Sequence, residues 1–246
     1  MNNEWIFQNT NSDDPGSSSN STQQNTINQI LQTGSVDVKN PRGNIHCISI
    51  IGQIEGHTLL PPQNKSTKYE HILPQLVAIE EDPQIDALLI LLNTMGGDVE
   101  AGLAISELIA GMKKPTVSLI LGGGHSIGVP LAVSARYSFI APSATMTIHP
   151  LRMNGTIIGV AQTFDYFSKM QDRIISFVAN NSKISAEKFR SIMLKTGEIA
   201  NDVGSILFGE EAVSCGLIDS IGSLGDALER LYDMIAAEKN SDNVEN

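Results

Sequence analysis

The sequence predicts an α/β fold with a parallel component, and three observations point to it. The runs "DALLILLNT" (86–94) and "TVSLILGGG" (116–124) are short, continuously apolar and bounded by turn formers, as strands buried on both faces are. Each is followed, directly or after a glycine-rich turn, by a stretch with helical spacing. Strand-then-helix order repeats down the chain, which calls for parallel pairing through right-handed crossovers.

Taken in order, residues 1–43 are rich in Asn, Ser, Thr and Gln, with "GSSSNSTQQN" at the centre. Such a segment buries too little apolar surface to offset its ordering entropy. A disordered polar tail is expected there, with "INQIL" (27–31) as a short docking helix. "IHCISIIGQI" (45–54) reads as a strand. "YEHILPQLVAIEED" (69–82) has helical spacing, and Pro74 is expected in its first turn or as a break. "VEAGLAISELIAGM" (99–112) is helical and stops before Lys113-Lys114-Pro115. "SIGVPLAVSARY" (126–137) is a helix with Pro130 near its start. "SFIAPSATMTIHP" (138–150) supplies a short strand on each side of Ala141-Pro142. Phe164–Val178 is a long helix with apolar positions at Phe167, Met170, Ile174, Ile175 and Val178. "SAEKFRSIML" (185–194) is another helix. "TGEIANDVGSILFGEEAVSCGLID" (196–219) gives a loop, a short strand and a helix. No fixed-period repeat and no internal linker interrupts the chain. One domain is expected over 44–236, with 237–246 a frayed acidic end.

The chain has 246 residues, 41% hydrophobic and 17% charged, enough for one soluble domain with a real core. The net charge is −11 and no Lys/Arg cluster stands out, so a nucleic-acid partner is not expected. No apolar run approaches the ~18–20 residues that cross a bilayer, so no membrane insertion is expected. The start, "MNNEWIFQNTNSDDPG", lacks a basic stretch and an apolar core, which predicts a cytoplasmic protein without a signal peptide. Cys47 and Cys215 lie far apart and read as reduced thiols. No metal or cofactor is implied.

In folds of this class chemistry gathers where strands hand over to helices. Two such junctions are rich in glycine, "LLNTMGGDVEAG" and "LILGGGHSIG". Glycines allow tight turns and bring N–H groups close to a ligand, and free N–H groups at a helix start favour negative charge. Phosphate binding is one use, but neither GxxxxGK[ST] nor a GxGxxG with its distant acid is present. An oxyanion hole beside Ser126 is a second use. Close helix–strand packing alone is a third. A serine nucleophile needs a base, and the histidines are His46, His57, His71, His125 and His149. His125 adjoins Ser126, but neighbours entering a helix point in different directions. His149 ends the β-like run "ATMTIHP" on the segment returning from Ser126. It is the better placed, though a satisfied histidine at a strand end would look the same.

These residues match a known pattern. "LLNTMGGDVEAGLAI" resembles the Clp protease subunit segment in which a strand ends in Asn-Ser-Pro-Gly-Gly and a helix follows. "LGGGHSIGVPLAVSA" resembles that family's nucleophile segment, "PSATMTIHP" its histidine segment, and "FGEEAVSCGLIDSIG" its helix and strand near the C-terminus. The four stand in the family's order over about 45–230. Closer similarity in "GGGHSIG" and "TGEIANDVGSILFGEEAVSCGLID" is to the family's translocation-enhancing branch, associated with handling exported proteins or their signal peptides.

The resemblance implies a ClpP/crotonase-like superhelix of repeated β-β-α units with a projecting handle helix at Phe164–Val178. It implies a serine endopeptidase in which Ser126 is the nucleophile and His149 the base, with peptides or unfolded proteins as substrates. The N–H groups of Gly97 and Ile127 would meet the oxyanion, with Gly96 shaping the turn. The family's acid position falls near Gly204; Asp202, two residues away, is the candidate third member, and Glu198 is the alternative. Stacked heptameric rings and an ATPase chaperone partner are implied as well. Four features depart from the family pattern. His125 replaces a small residue, Met95 replaces a proline, "HTLLPPQNKST" is longer than its counterpart, and the N-terminal tail does not resemble the ring-gating segment.

Three rivals share parts of this pattern. Crotonase-type acyl-CoA enzymes use the same fold and glycine-rich oxyanion holes, but do not need a serine at the helix start. A signal-peptide peptidase with a Ser/Lys dyad would need Lys113, Lys114, Lys169 or Lys195 at the serine. A non-catalytic scaffold would bind peptides or partner subunits without cleaving them.

Overall fold

The computed structural model describes Ile30 and residues 34–152, 159–197 and 203–242. The frame is a mixed sheet whose antiparallel edge strand β1 (Ser35–Val38) is followed, in order, by five parallel strands. Strand β2 (Ile45–Glu55), β4 (Ala87–Gly97), β5 (Thr116–Gly124), β6 (Tyr137–Ile140) and β9 (Ser220–Ile221) run parallel to one another. Helix α1 (Tyr69–Glu81) joins β2 to β4, α2 (Val99–Gly111) joins β4 to β5, and the short α3 (Gly128–Val133) joins β5 to β6. The α/β expectation holds, and its reason is visible in β4. Leu88, Ile90 and Leu92 face one core cluster while Ala87 and Leu89 face another, so both faces of the strand are buried.

Strand β7 (Thr145–Ile148) leaves this sheet. It touches β5 through Gly123–Thr145 and pairs antiparallel with β8 (Ser205–Phe208), placing Ile148 opposite Ser205. Helix α4 (Val160–Asn180) follows, then α5 (Ala186–Met193), α6 (Gly209–Ser214) and α7 (Leu224–Asp242). The C-terminal half of α4 buries Met170, Ile174, Ile175, Phe177 and Val178. Its N-terminal half leaves Val160 (77%) and Phe164 (71%) open to solvent, so that end stands off the body as a handle would.

Four elements differ from the sequence expectation. Ser35–Val38, inside the segment expected to be disordered, forms β1, an antiparallel edge strand on β2. Its pairing is the reason: Val36 lies opposite Cys47 and Asp37 opposite His46, whose Nδ1 is 2.6 Å from the Asp37 carboxylate. The expected docking helix at 27–31 lies outside the described residues apart from Ile30. Helix α1 continues through Pro74, which is its sixth residue. Pro74 lies on the exposed face, opposite buried Ile72, Leu76 and Ile79, so water can satisfy the carbonyl it leaves unpaired. The helix expected from Ser126 begins two residues later, at Gly128. Helix α7 was unassigned by the sequence pattern, and it closes the second core cluster with Ala227, Leu231, Tyr232 and Ile235. It continues to Asp242, past residue 237 where the order was expected to end.

Short strand β3 (Ser66–Lys68) pairs with the end of β2. It closes the long loop after β2, where the buried carboxylate of Glu55 accepts from Ser66 Oγ and from the Leu60 N–H.

Candidate active site

The chain turns sharply between β5 and α3, and Ser126 is the turning point. Its φ is +57°, the one left-handed residue other than glycine among the described residues. For an L-residue this conformation costs about 1–2 kcal/mol, so its surroundings must hold it. Four backbone bonds do so. His125 N–H donates to Thr94 O at 3.1 Å and Ser126 N–H to Thr147 O at 2.8 Å. The His125 and Ser126 carbonyls accept from Gly128 and Val129 at 2.8 and 3.0 Å. The elbow is thereby fastened to the end of β4 on one side and to β7 on the other.

Helix α3 starts so late that the Ile127 N–H finds no acceptor among the described residues. It is an orphan donor at a helix start, beside Ser126. The Gly96-Gly97 turn lies against it. Gly96 has φ +89°, and a Cβ there would come within 2.6 Å of Ser126 Cβ and 3.2 Å of Ile127 N. Only glycine lets the two turns meet so closely. The N–H of Gly96 is itself occupied, donating to Thr94 Oγ1 at 3.0 Å, and Thr94 Oγ1–H donates to Gly52 O. A Cβ on Gly97 would fall 2.2 Å from Ile54 O, so β4 is clamped against β2 there. Asp98 then caps α2, its Oδ1 accepting from the Ala101 N–H at 2.8 Å.

Ser126, Gly97, Ile127 and His149 line one cavity of about 240 Å³. Val129, Ile148, Ile174, Phe189 and Met193 make the rest of its wall largely apolar, and Gln171 and Arg152 add polar groups. His149 follows β7 and is half-buried. Its Nδ1 lies 2.7 Å from Pro150 O. A carbonyl only accepts, so Nδ1–H donates to it, and in the neutral ring the lone pair is then on Nε2. That is the tautomer a general base needs. Ser126 Oγ makes no hydrogen bond among the described residues, so the two groups face one cavity without being joined across it. Bonds of this kind tighten when substrate binds.

Asp202 and Glu198 lie outside the described residues. Gly204, where the family pattern would put its acid, does lie against the histidine. A Cβ there would be 2.9 Å from His149 Cβ and 2.3 Å from Ile148 O, at φ +135°. The position reaches His149 but has no room for a side chain. None of the four lysines weighed for a dyad lines the cavity. Lys114 Nζ instead donates to the Ile79 and Asp82 carbonyls. Among the described residues no cluster of His, Cys, Asp and Glu is arranged to hold a metal ion, and no helix is long and apolar enough to cross a membrane. Both cysteines are free, and burial pushes the Cys47 thiol up to about 11.

The sequence pattern did not single out Thr94, Thr147 or the Pro150 carbonyl. Each acts through a backbone atom or a buried hydroxyl, and residue type does not announce such roles.

Comparison with known proteins gives a consistent picture. The family model for Clp protease matches residues 41–224. A translocation-enhancing protein, TepA, of Halalkalibacterium halodurans is 57% identical over 214 residues, covering 87% of this chain and 84% of that protein. An ATP-dependent Clp protease proteolytic subunit of Leuconostoc citreum is 27% identical over 159 residues, 61% of this chain and 74% of the subunit. The corresponding subunit of Lactococcus lactis subsp. lactis is 30% identical over 124 residues, 48% of this chain and 62% of the subunit.

Proposed function

The chain belongs to the Clp protease family, and from that premise we propose that it is a serine endopeptidase acting on peptides and unfolded proteins. One observation carries the reading. Ser126 is held in a strained elbow beside the orphan N–H of Ile127, and His149 lines the same cavity with its Nδ1–H donated to the Pro150 carbonyl.

In this mechanism Nε2 of His149 takes the proton of Ser126 Oγ as the oxygen attacks a peptide carbonyl. The carbonyl oxygen becomes an oxyanion and accepts from the N–H groups of Ile127 and Gly97. One such donor is worth about 3 kcal/mol in the transition state. His149 then passes its proton to the leaving amine, the C–N bond breaks, and an acyl-enzyme remains on Ser126. Water, deprotonated by His149, releases the second product. Asp202 is proposed as the carboxylate that stabilises the imidazolium. The Pro150 carbonyl already supplies the orientation. The apolar wall suits a bulky apolar residue on the acyl side of the cut.

Assembly in stacked heptameric rings and work with an ATPase chaperone are proposed from family membership, as is a cytoplasmic site of action. The exposed apolar end of α4 supports pairing between rings. Substrates drawn from exported proteins or their signal peptides are proposed from the likeness to the translocation-enhancing relative. The reading is tested by incubating the full chain with a fluorescently labelled unfolded protein. Turnover is expected from the wild type and not from Ser126→Ala; equal release of fragments by both proteins would overturn it.

A second reading is a scaffold that binds peptides without cleaving them. The absence of a Ser126–His149 bond, and of a carboxylate on His149 among the described residues, favours it. Peptide binding in the cavity without turnover in the assembled protein is its signature.

A further inference from the structure

His125, the residue before Ser126, has a side chain that the mechanism above leaves unused. Its Nδ1 accepts from the Thr147 N–H at 3.0 Å. A backbone N–H only donates, so Nδ1 is unprotonated here. Thr147 is therefore gripped twice by the elbow: its carbonyl accepts from the Ser126 N–H and its N–H donates to the His125 ring. The ring does the work of a missing strand. Strand β5 is parallel to β7 at Gly123–Thr145, but it ends at Gly124 because the chain must turn into the elbow. The imidazole takes over where the ladder stops. It lies over Gly123, whose hypothetical Cβ would be 2.3 Å from His125 Nε2, so that glycine clears the space for the ring.

We propose that His125 is a positioning residue: its neutral imidazole latches strand β7, and with it His149 two residues beyond Thr147, to the Ser126 elbow. The consequence for catalysis rests on the peptidase reading; the latch itself does not.

The latch has a built-in dependence on pH. Protonated Nδ1 is a donor facing a donor, and the bond to Thr147 is lost. Burial lowers the His125 pKa from its ordinary 6.5. The unfolded chain then binds this proton more readily than the folded one. The latch's contribution is thus full above the ordinary value and is lost as pH falls through the folded one. No other ionisable group on the surrounding strands competes. β4, β5, β7, β8 and α3 carry no Asp, Glu, Lys, Arg or His. Helix α6, packed on β7, carries Glu210 and Glu211, and Glu211 accepts from the Phe208 N–H at its own helix start. His149 stands one residue past the end of β7.

The test is amide hydrogen exchange of the full chain at pH 7.5 and pH 5, normalised to intrinsic rates, with β4 as internal reference. In wild type, protection at Thr147 should fall on acidification while β4 holds. Asn at 125 offers an acceptor at the same reach that does not titrate, so His125→Asn should stay protected at both values. His125→Ala should be unprotected at both. If His125→Ala does not fold, wild type against His125→Asn decides. Equal Thr147 protection in wild type at both pH values, or acid loss of equal size in His125→Asn, would overturn the latch. Rates of fluorophosphonate labelling add the catalytic layer: the acid limb of wild type should be steeper by one proton than that of His125→Asn. Expected exchange behaviour with no labelling of assembled wild type leaves the latch standing and removes the peptidase reading.

Discussion

The Ser126 N–H donates to the Thr147 carbonyl at 2.8 Å. One hydrogen bond thus joins the elbow that carries the proposed nucleophile to the strand that delivers the proposed base. Strain, orphan donor and histidine are fixed relative to one another by short backbone contacts rather than by long side chains.

The left-handed Ser126 predicts a separation of stability from activity. Glycine has no Cβ penalty at φ +57°. Ser126→Gly should therefore melt about 2–4 °C above Ser126→Ala, corresponding to about 1 kcal/mol. Both should lack turnover. Thermal melts of the two variants, with wild type as reference, check this.

The contact of Gly96 with the elbow predicts that the site fails before the fold does. A Cβ at 96 meets Ser126 Cβ at 2.6 Å and would sit at φ +89°. Gly96→Ala should lose most turnover and about 1–3 kcal/mol of stability. Gly111→Ala, where a Cβ meets nothing within 4 Å, is the control: it should keep turnover and gain about 0.4–1 kcal/mol. Denaturant unfolding and peptide turnover on the pair are the measurements.

The third member is tested by two substitutions with opposite logic. Asp202→Asn should cut turnover strongly, by ~10²-fold or more, if that carboxylate stabilises the imidazolium. Gly204→Asp restores an acid to the family's position but drives a side chain into Ile148 O. It should destabilise the protein without raising turnover. Unchanged turnover in Asp202→Asn would leave the orienting role to the Pro150 carbonyl.

The apolar cavity wall predicts the cleavage preference. Burying a charge against Ile127, Val129 and Ile174 is costly, and a cation there would also face Arg152. Short fluorogenic peptides with Leu, Met or Phe before the cut should be turned over at least ~10-fold faster than those with Lys or Arg. A preference for basic residues there would contradict the assigned cavity.

Much of the frame was legible in the sequence because β4 and β5 are buried on both faces, and such strands announce themselves as unbroken apolar runs. The glycines at 96 and 97 and the isolated Ser126 marked the junction. Other parts were hidden for physical reasons. Strand β1 is short and half exposed, so its composition matches a solvated tail. Pro74 gave a false break because tolerance of proline depends on which face is wet. The turn at Ser126 delays α3 to Gly128, which no propensity reveals. His125 was read as a neighbour pointing away from Ser126; its ring turns to Thr147, a pairing across 22 residues. Asp202 lies outside the described residues, and its role rests on motif spacing alone.

The central claim is an activated Ser126. It is tested most directly by treating the assembled full chain with a fluorophosphonate probe and locating the adduct by mass. Covalent labelling of Ser126 in wild type, lost in Ser126→Ala and nearly lost in His149→Ala, is the predicted result. An assembled wild type that takes no label, or a label that persists in Ser126→Ala, would contradict it.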